Sequence, residues 1–156
     1  ARHTRSRMEA ELSKELGGDR FDLKVGRGGL ADIDFLLQLL QIHHGATRPE
    51  WRVAGSRRLL AASPASPVLD ADDWARLRDA HLFLRTLETR LRIESDAGAS
   101  VLSTNPARLA VLGTRMRLPP PAGDALRQRY AEFTGDVRRI FEKGIARLEG
   151  RGSTGS

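Results

Sequence analysis

Apolar residues return every three or four positions along most of this chain, and only one short stretch alternates instead. Met8, Leu12 and Leu16 form a narrow stripe that predicts a helix over residues 4–16, ended by Gly17-Gly18. From Leu30 to His44, Leu30, Ile33, Leu36, Leu37, Leu40 and Ile42 cover more than half a helical circumference, the pattern of a central bundle helix, with Gly45 as its expected cap. A short helix is expected over Val53 to Ala62, before the Ser63-Pro64-Ala65-Ser66-Pro67 connector. The longest element is predicted from Asp70–Asp73 to about Asp96, with Trp74, Leu77, His81, Leu84, Leu87, Leu91 and Glu94 on one stripe. Its leading carboxylates suit the positive end of a helix dipole. Asn105-Pro106 opens another helix, carrying Leu109, Val111, Leu112 and Met116. After Pro119-Pro120-Pro121 a last helix runs from Ala122 to Leu148 through Leu126, Tyr130, Phe133, Val137, Phe141 and Ile145.

The exception is Phe21-Asp22-Leu23-Lys24-Val25, whose alternation predicts a strand. A lone strand leaves its backbone groups unpaired, so its partner is expected outside this chain. The fold class that follows is all-α: a helical bundle of about five to six helices with one short orphan strand near the N-terminus. It divides into a leading helix over 1–20, a bundle over 21–149 and a disordered tail over 150–156.

Composition narrows the chemistry. Of 156 residues, 40% are hydrophobic but only 5% aromatic, so Leu, Ala, Val and Ile must supply the core. The absence of cysteine removes disulfides, thiolate metal sites and cysteine nucleophiles, and fits a cytoplasmic protein. No apolar run approaches the roughly 18 residues that span a bilayer, and residues 1–16 are too polar for a secretory signal. The chain opens without methionine and ends in Gly-Ser-Thr-Gly-Ser, so it is expected to be a piece of a longer protein. Its formal net charge is +6, and Lys14, Lys24 and Lys143 are the only lysines among 26 basic residues. Arginine alternates with acids, as in Arg76-Leu77-Arg78-Asp79 and Arg85-Thr86-Leu87-Glu88, a pattern read as solvated helix faces rather than a nucleic-acid surface.

The segment Asp22 to Gln38 is a strand, a glycine-rich turn (Gly26-Arg27-Gly28-Gly29), and a helix whose first turn holds Asp32 and Asp34. Glycine turns at helix starts can present N–H groups to phosphate. Two carboxylates there would repel an anion unless a metal intervened. The alternative is that the glycines only provide positive φ and the aspartates only cap the helix. Gly55-Ser56 followed by Asp70-Ala71-Asp72 imitates a nucleotidyltransferase signature, but it falls across a helix, two prolines and a helix start, and is read as a decoy. His43 and His44 point about 100° apart on a helix, so they share no face for a metal. No metal site and no Ser-His-Asp constellation of the chain's own is expected.

Lys24, Gly26, Gly28, Gly29, Leu30, Asp32, Ile33, Asp34, Phe35 and Gln38 fall in register with a signature of the bifunctional glutamine-synthetase adenylyltransferase/adenylyl-removing enzymes, which this stretch resembles. Ala80-His81-Leu82-Phe83-Leu84-Arg85 with Leu87-Glu88 resembles a later helix of that family, and Leu102 to Met116 resembles the stretch after it. PII uridylyltransferases share the lysine and glycines; Asp34-Phe35 with Gln38 favours the adenylyltransferases. His81, Ala31 and Asp34 depart from the usual aromatic, larger residue and glutamate.

The resemblance implies a helical domain following a nucleotidyltransferase domain, in an enzyme that moves AMP from ATP to glutamine synthetase or removes it by phosphorolysis. It implies ATP and magnesium for the parent, held upstream of residue 1, with no catalytic residue and no bound cofactor in this chain. Residues 1–20 would close the preceding catalytic region. Lys24, Gly26, Gly28, Gly29, Asp32 and Asp34 then form a nucleotide-facing or domain-seam motif. Lys24 either touches nucleotide or pairs with an acid of the missing domain. The implied partners are the adjacent catalytic domain, glutamine synthetase and a PII signal protein. A stand-alone interaction module, docking a PII protein or binding nucleic acid through basic helices, is the alternative.

Overall fold

A computed structural model describes residues 20–94, 101–103 and 105–154. Their elements are β1 (Arg20–Asp22), α1 (Leu30–Gly45), a 3₁₀ turn (Pro49–Trp51), α2 (Ser56–Ala62), α3 (Ala71–Glu94), β2 (Val101–Ser103), α4 (Pro106–Arg115) and α5 (Ala122–Thr154). The helical bundle read from periodicity is present. The helix expected over 4–16 lies outside the described residues.

The strand is not an orphan. β1 pairs antiparallel with β2, setting Arg20 opposite Ser103, Phe21 opposite Leu102 and Asp22 opposite Val101. It also stops early. The Asp22 carboxylate accepts the backbone N–H groups of Lys24 (2.8 Å) and Val25 (3.1 Å), which turns the chain and removes both donors from a ladder.

α1 packs against α3 and α5 through Ile33, Leu36, Leu37 and Leu40, all buried, with Leu77, Leu84 and Leu87 of α3 and Val137, Ile140 and Phe141 of α5 in the same core. Each such side chain contributes about 1.5–3 kcal/mol relative to exposure. Two details of α1 differ from the periodic reading. Ile42 is 76% exposed, while Asp32 and His44 are buried. Gly45 does not adopt a left-handed cap either; Ala46 follows it at φ −65°, and the free carbonyls of Gly45 and Ala46 are taken by Arg52 at 2.7 and 3.2 Å. The cap is a side chain, so glycine's freedom is not needed there.

α3 starts on a reciprocal pair: Asp70 accepts from Asp73 N–H at 2.8 Å, and Asp73 accepts from Asp70 N–H at 3.1 Å. The buried Asp73 carboxylate also receives the Lys143 ammonium of α5, tying the two long helices together. Asn105 caps α4 as its sequence predicts, accepting from Ala107 and Arg108 N–H. α5 runs through Thr154, so residues 150–154 are helical rather than a loose tail. Gly150 and Gly152 each cost about 1 kcal/mol against alanine, but extending an already long helix needs no new nucleus.

Candidate functional site

The glycine turn is folded tightly onto α5. Gly26 N–H donates to Asp22 O, Gly29 N–H to Gly26 O, and Leu30 N–H to Leu23 O, so the turn closes on its own backbone. Gly28 sits at φ +75°, and a Cβ there would lie 2.0 Å from Thr134 O of α5. Glycine is required at this point for both conformation and space.

Asp32 fixes the same contact from the other side. Its carboxylate is fully buried, accepts Gly28 N–H at 2.7 Å and faces Arg138 of α5 at 3.3 Å. Arg138 also reaches Glu142 at 3.1 Å and lies 4.9 Å above the Phe141 ring; Arg27 of the turn meets the same Glu142 at 3.0 Å. A buried carboxylate with a guanidinium and a backbone donor is an internal brace. Asp34, two residues on, points elsewhere and accepts the Ser56 hydroxyl of α2 at 2.6 Å.

Lys24 emerges on the solvent side of this brace, its side chain 49% exposed. The acid beside it is neither Asp32 nor Asp34 but Glu88 of α3, 3.9 Å from the ammonium. Glu88 is buried; its Oε1 meets Arg85 at 3.2 Å and Arg92 at 3.5 Å, while its Oε2 accepts no hydrogen bond. Thus one carboxylate lies beneath three half-exposed cations, leaving a surface that attracts anions. The sequence reading placed Glu88 on a solvated face. The missed signal is its position one residue past the core Leu87, which turns it under the glycine turn.

The six motif residues therefore separate into roles. Gly26, Gly28, Gly29 and Asp32 build the turn and fasten it to α5, Asp34 fastens α1 to α2, and Lys24 is the one whose functional group reaches solvent. The decoy residues are structural: Gly55 adopts φ +87° before α2, Ser56 serves Asp34, Asp70 caps α3 together with Asp73, and Asp72 pairs with Arg76 at 2.8 Å. His81 is half-buried; burial pushes its imidazole below the ordinary value, Arg85 and Arg57 push the same way, and Asp34 opposes them. Among the described residues no three His, Asp or Glu side chains gather to hold a metal, and no helix is long and apolar enough to cross a membrane.

The family model described as GlnD PII-uridylyltransferase matches residues 2–145. Among curated relatives, the bifunctional glutamine synthetase adenylyltransferase/adenylyl-removing enzyme of Burkholderia mallei is 34% identical over 142 residues, 89% of this chain and 15% of the relative. The enzyme of the same name from Leifsonia xyli is 27% identical over 139 residues, 89% of this chain and 14% of the relative. That of Stenotrophomonas maltophilia strain K279a is 41% identical over 103 residues, 63% and 11%. The chain thus spans about one seventh of the length of the first two relatives.

Proposed function

The chain belongs to the GlnD PII-uridylyltransferase family, and from that premise we propose that it is a non-catalytic helical domain of a cytoplasmic, multifunctional glutamine synthetase adenylyltransferase. In that parent it supports ATP-dependent AMP transfer to glutamine synthetase, or phosphorolytic removal of AMP, in nitrogen regulation. The carrying observation is the division of labour in the turn: four motif residues are spent on bracing it, and Lys24 is the motif's half-exposed cation, as one aimed at a neighbour would be.

The seam proposed here differs from the strand addition expected of an orphan strand, since β2 already occupies one edge of β1. The turn and Lys24 are the contact instead. Asp32 accepts from Gly28 and Arg138, Asp34 from Ser56, and Asp73 from Asp70 and Lys143. These carboxylates do not converge, an arrangement that does not fit a pair of magnesium ions. ATP and magnesium would be held by the adjacent nucleotidyltransferase domain, with Lys24 at the cleft between them, facing phosphate. The catalytic neighbour, glutamine synthetase and a PII signal protein are the partners this reading implies.

The test is AMP transfer onto, and removal from, glutamine synthetase by the intact enzyme carrying Lys24→Ala or Lys24→Arg. A loss of at least about tenfold, 1.4 kcal/mol of transition-state stabilisation, in the alanine variant with partial rescue by arginine is expected. Unchanged rates in a normally folded enzyme would reduce Lys24 to scaffolding. The isolated chain should neither consume ATP nor modify glutamine synthetase; turnover there refutes the non-catalytic reading.

A further inference from the structure

α3 carries two stripes, and only one of them is buried. Trp74, Leu77, Leu84 and Leu87 face the core. On the outer side, Arg78, Leu82, Arg85, Thr89 and Arg92 follow one another at spacings of four, three, four and three residues, all exposed. That spacing puts the three arginines, Leu82 and Thr89 on one helix face. From Arg78 to Arg92 it extends about 21 Å at 1.5 Å per residue.

The stripe borders an open groove of about 510 Å³ between α2 and α3, lined by Arg57, Leu60, Arg78, Leu82 and Arg85 among others. Leu82 is 69% exposed at its edge, and Ile93 beside Arg92 is 72% exposed. The charges are largely unspent. Among the described residues no carboxylate lies within ion-pair distance of Arg57 or Arg78, and Arg78 donates to the neutral Ser63 hydroxyl at 2.8 Å. Arg85 and Arg92 share the buried Glu88 with Lys24. Against these cations the groove sets one carboxylate, Asp79. Protonation of half-buried His81 is disfavoured by its burial and by Arg85 and Arg57, against the opposing pull of Asp34.

We propose that this face is a docking surface for an acidic amphipathic helix of a protein partner. Carboxylates seven residues apart on that helix would meet Arg78, Arg85 and Arg92, and an apolar side chain between them would enter the groove over Leu82 and Leu60. Charge complementarity supplies recognition: planar guanidinium forks engage carboxylates through two parallel hydrogen bonds. The 3–4 spacing supplies register. An extended phosphate backbone has no need of either the leucine or the heptad, and the groove is lined by no Phe, Tyr or Trp for base stacking, half-buried His81 being its one ring. The surface meets the proposed seam at Glu88, which Arg85 and Arg92 share with Lys24; peptide binding by the isolated chain and AMP transfer by the parent enzyme read the two proposals apart.

The test uses the present chain and a fluorescein-labelled 21-residue peptide of three heptads, with glutamate first and leucine fifth in each and alanine or glutamine elsewhere. Anisotropy titration at low salt should show saturable binding, weakened at least about tenfold by Arg57→Glu/Arg78→Glu, by Leu82→Ser and by 0.5 M sodium chloride, with helicity by circular dichroism unchanged. Arg85→Gln serves as a milder variant if the double reversal alters the fold. Equal binding of a peptide with glutamine replacing every glutamate, tight binding of a 21-nucleotide single-stranded RNA instead of the peptide, or no binding of either would each overturn the proposal.

Discussion

Replacing Arg138 with methionine isolates the brace beneath the glycine turn. Asp32 is fully buried and its carboxylate is 3.3 Å from the Arg138 guanidinium, whose own side chain is 10% exposed. Methionine keeps most of the side-chain volume, removes the charge and gives up the guanidinium's place above the Phe141 ring. Breaking a buried ion pair from one side costs about 3–5 kcal/mol, because the other charge is left uncompensated. The backbone donor from Gly28, at 2.7 Å, remains and places the expected loss toward the lower end, about 3 kcal/mol. In a chain of this size that lowers the melting temperature by roughly 6–12 °C. Urea unfolding followed at 222 nm would measure it. Asp32→Asn with Arg138→Met completes a double-mutant cycle, in which neutralising the acid should recover at least about 1 kcal/mol. Additive losses, or a single-variant cost under about 1 kcal/mol, would show that the pair does not hold the turn to α5.

Other substitutions follow from the same geometry. Gly28→Ala should cost at least about 3 kcal/mol in urea melts, combining a left-handed alanine with a clash against Thr134 O. Gly135→Ala, in the same helix with open space around its Cβ, should instead stabilise by about 1 kcal/mol; equal effects would refute the packing of the turn. Asn105→Ala should lose about 1 kcal/mol through the α4 cap. For His81, the folded value lies below the ordinary 6.5, so the unfolded chain binds the proton more readily. The stability contributed is present above pH 6.5 and falls as pH drops from there toward the folded value. The wild-type-minus-His81→Gln stability difference should fall over that window and stay flat above it; a rise on acidification would reverse the sign assigned here.

The bundle was legible because its long stripes, Leu30 to Leu40, Trp74 to Leu87 and Leu126 to Ile145, repeat often enough to fix a period. Asn105-Pro106 was legible because a cap and a first-turn proline act locally. Non-local events were not. Nothing in Val101-Leu102-Ser103 marks it as the partner of Arg20–Asp22, since three residues carry no measurable alternation. Charge was the other blind spot. Asp32, Asp73 and Glu88 look like ordinary surface acids, yet each is buried by a cation or N–H from a distant element: Arg138, Lys143 and Lys24 lie 106, 70 and 64 positions away. The glycine motif was legible as a turn before a helix, but spacing could not assign its residues between bracing and presentation.

On the proposed reading, the braced turn presents Lys24 to a catalytic neighbour in the parent enzyme. The native chain contains no cysteine, so Lys24→Cys introduces one thiol into it. Its alkylation rate, read by peptide mass spectrometry at that residue, should be fast in the isolated chain and at least about tenfold slower in the intact parent, an opening penalty of 1.4 kcal/mol, with further slowing by ATP. The same rate in both proteins would mean that nothing faces Lys24 and would contradict the account.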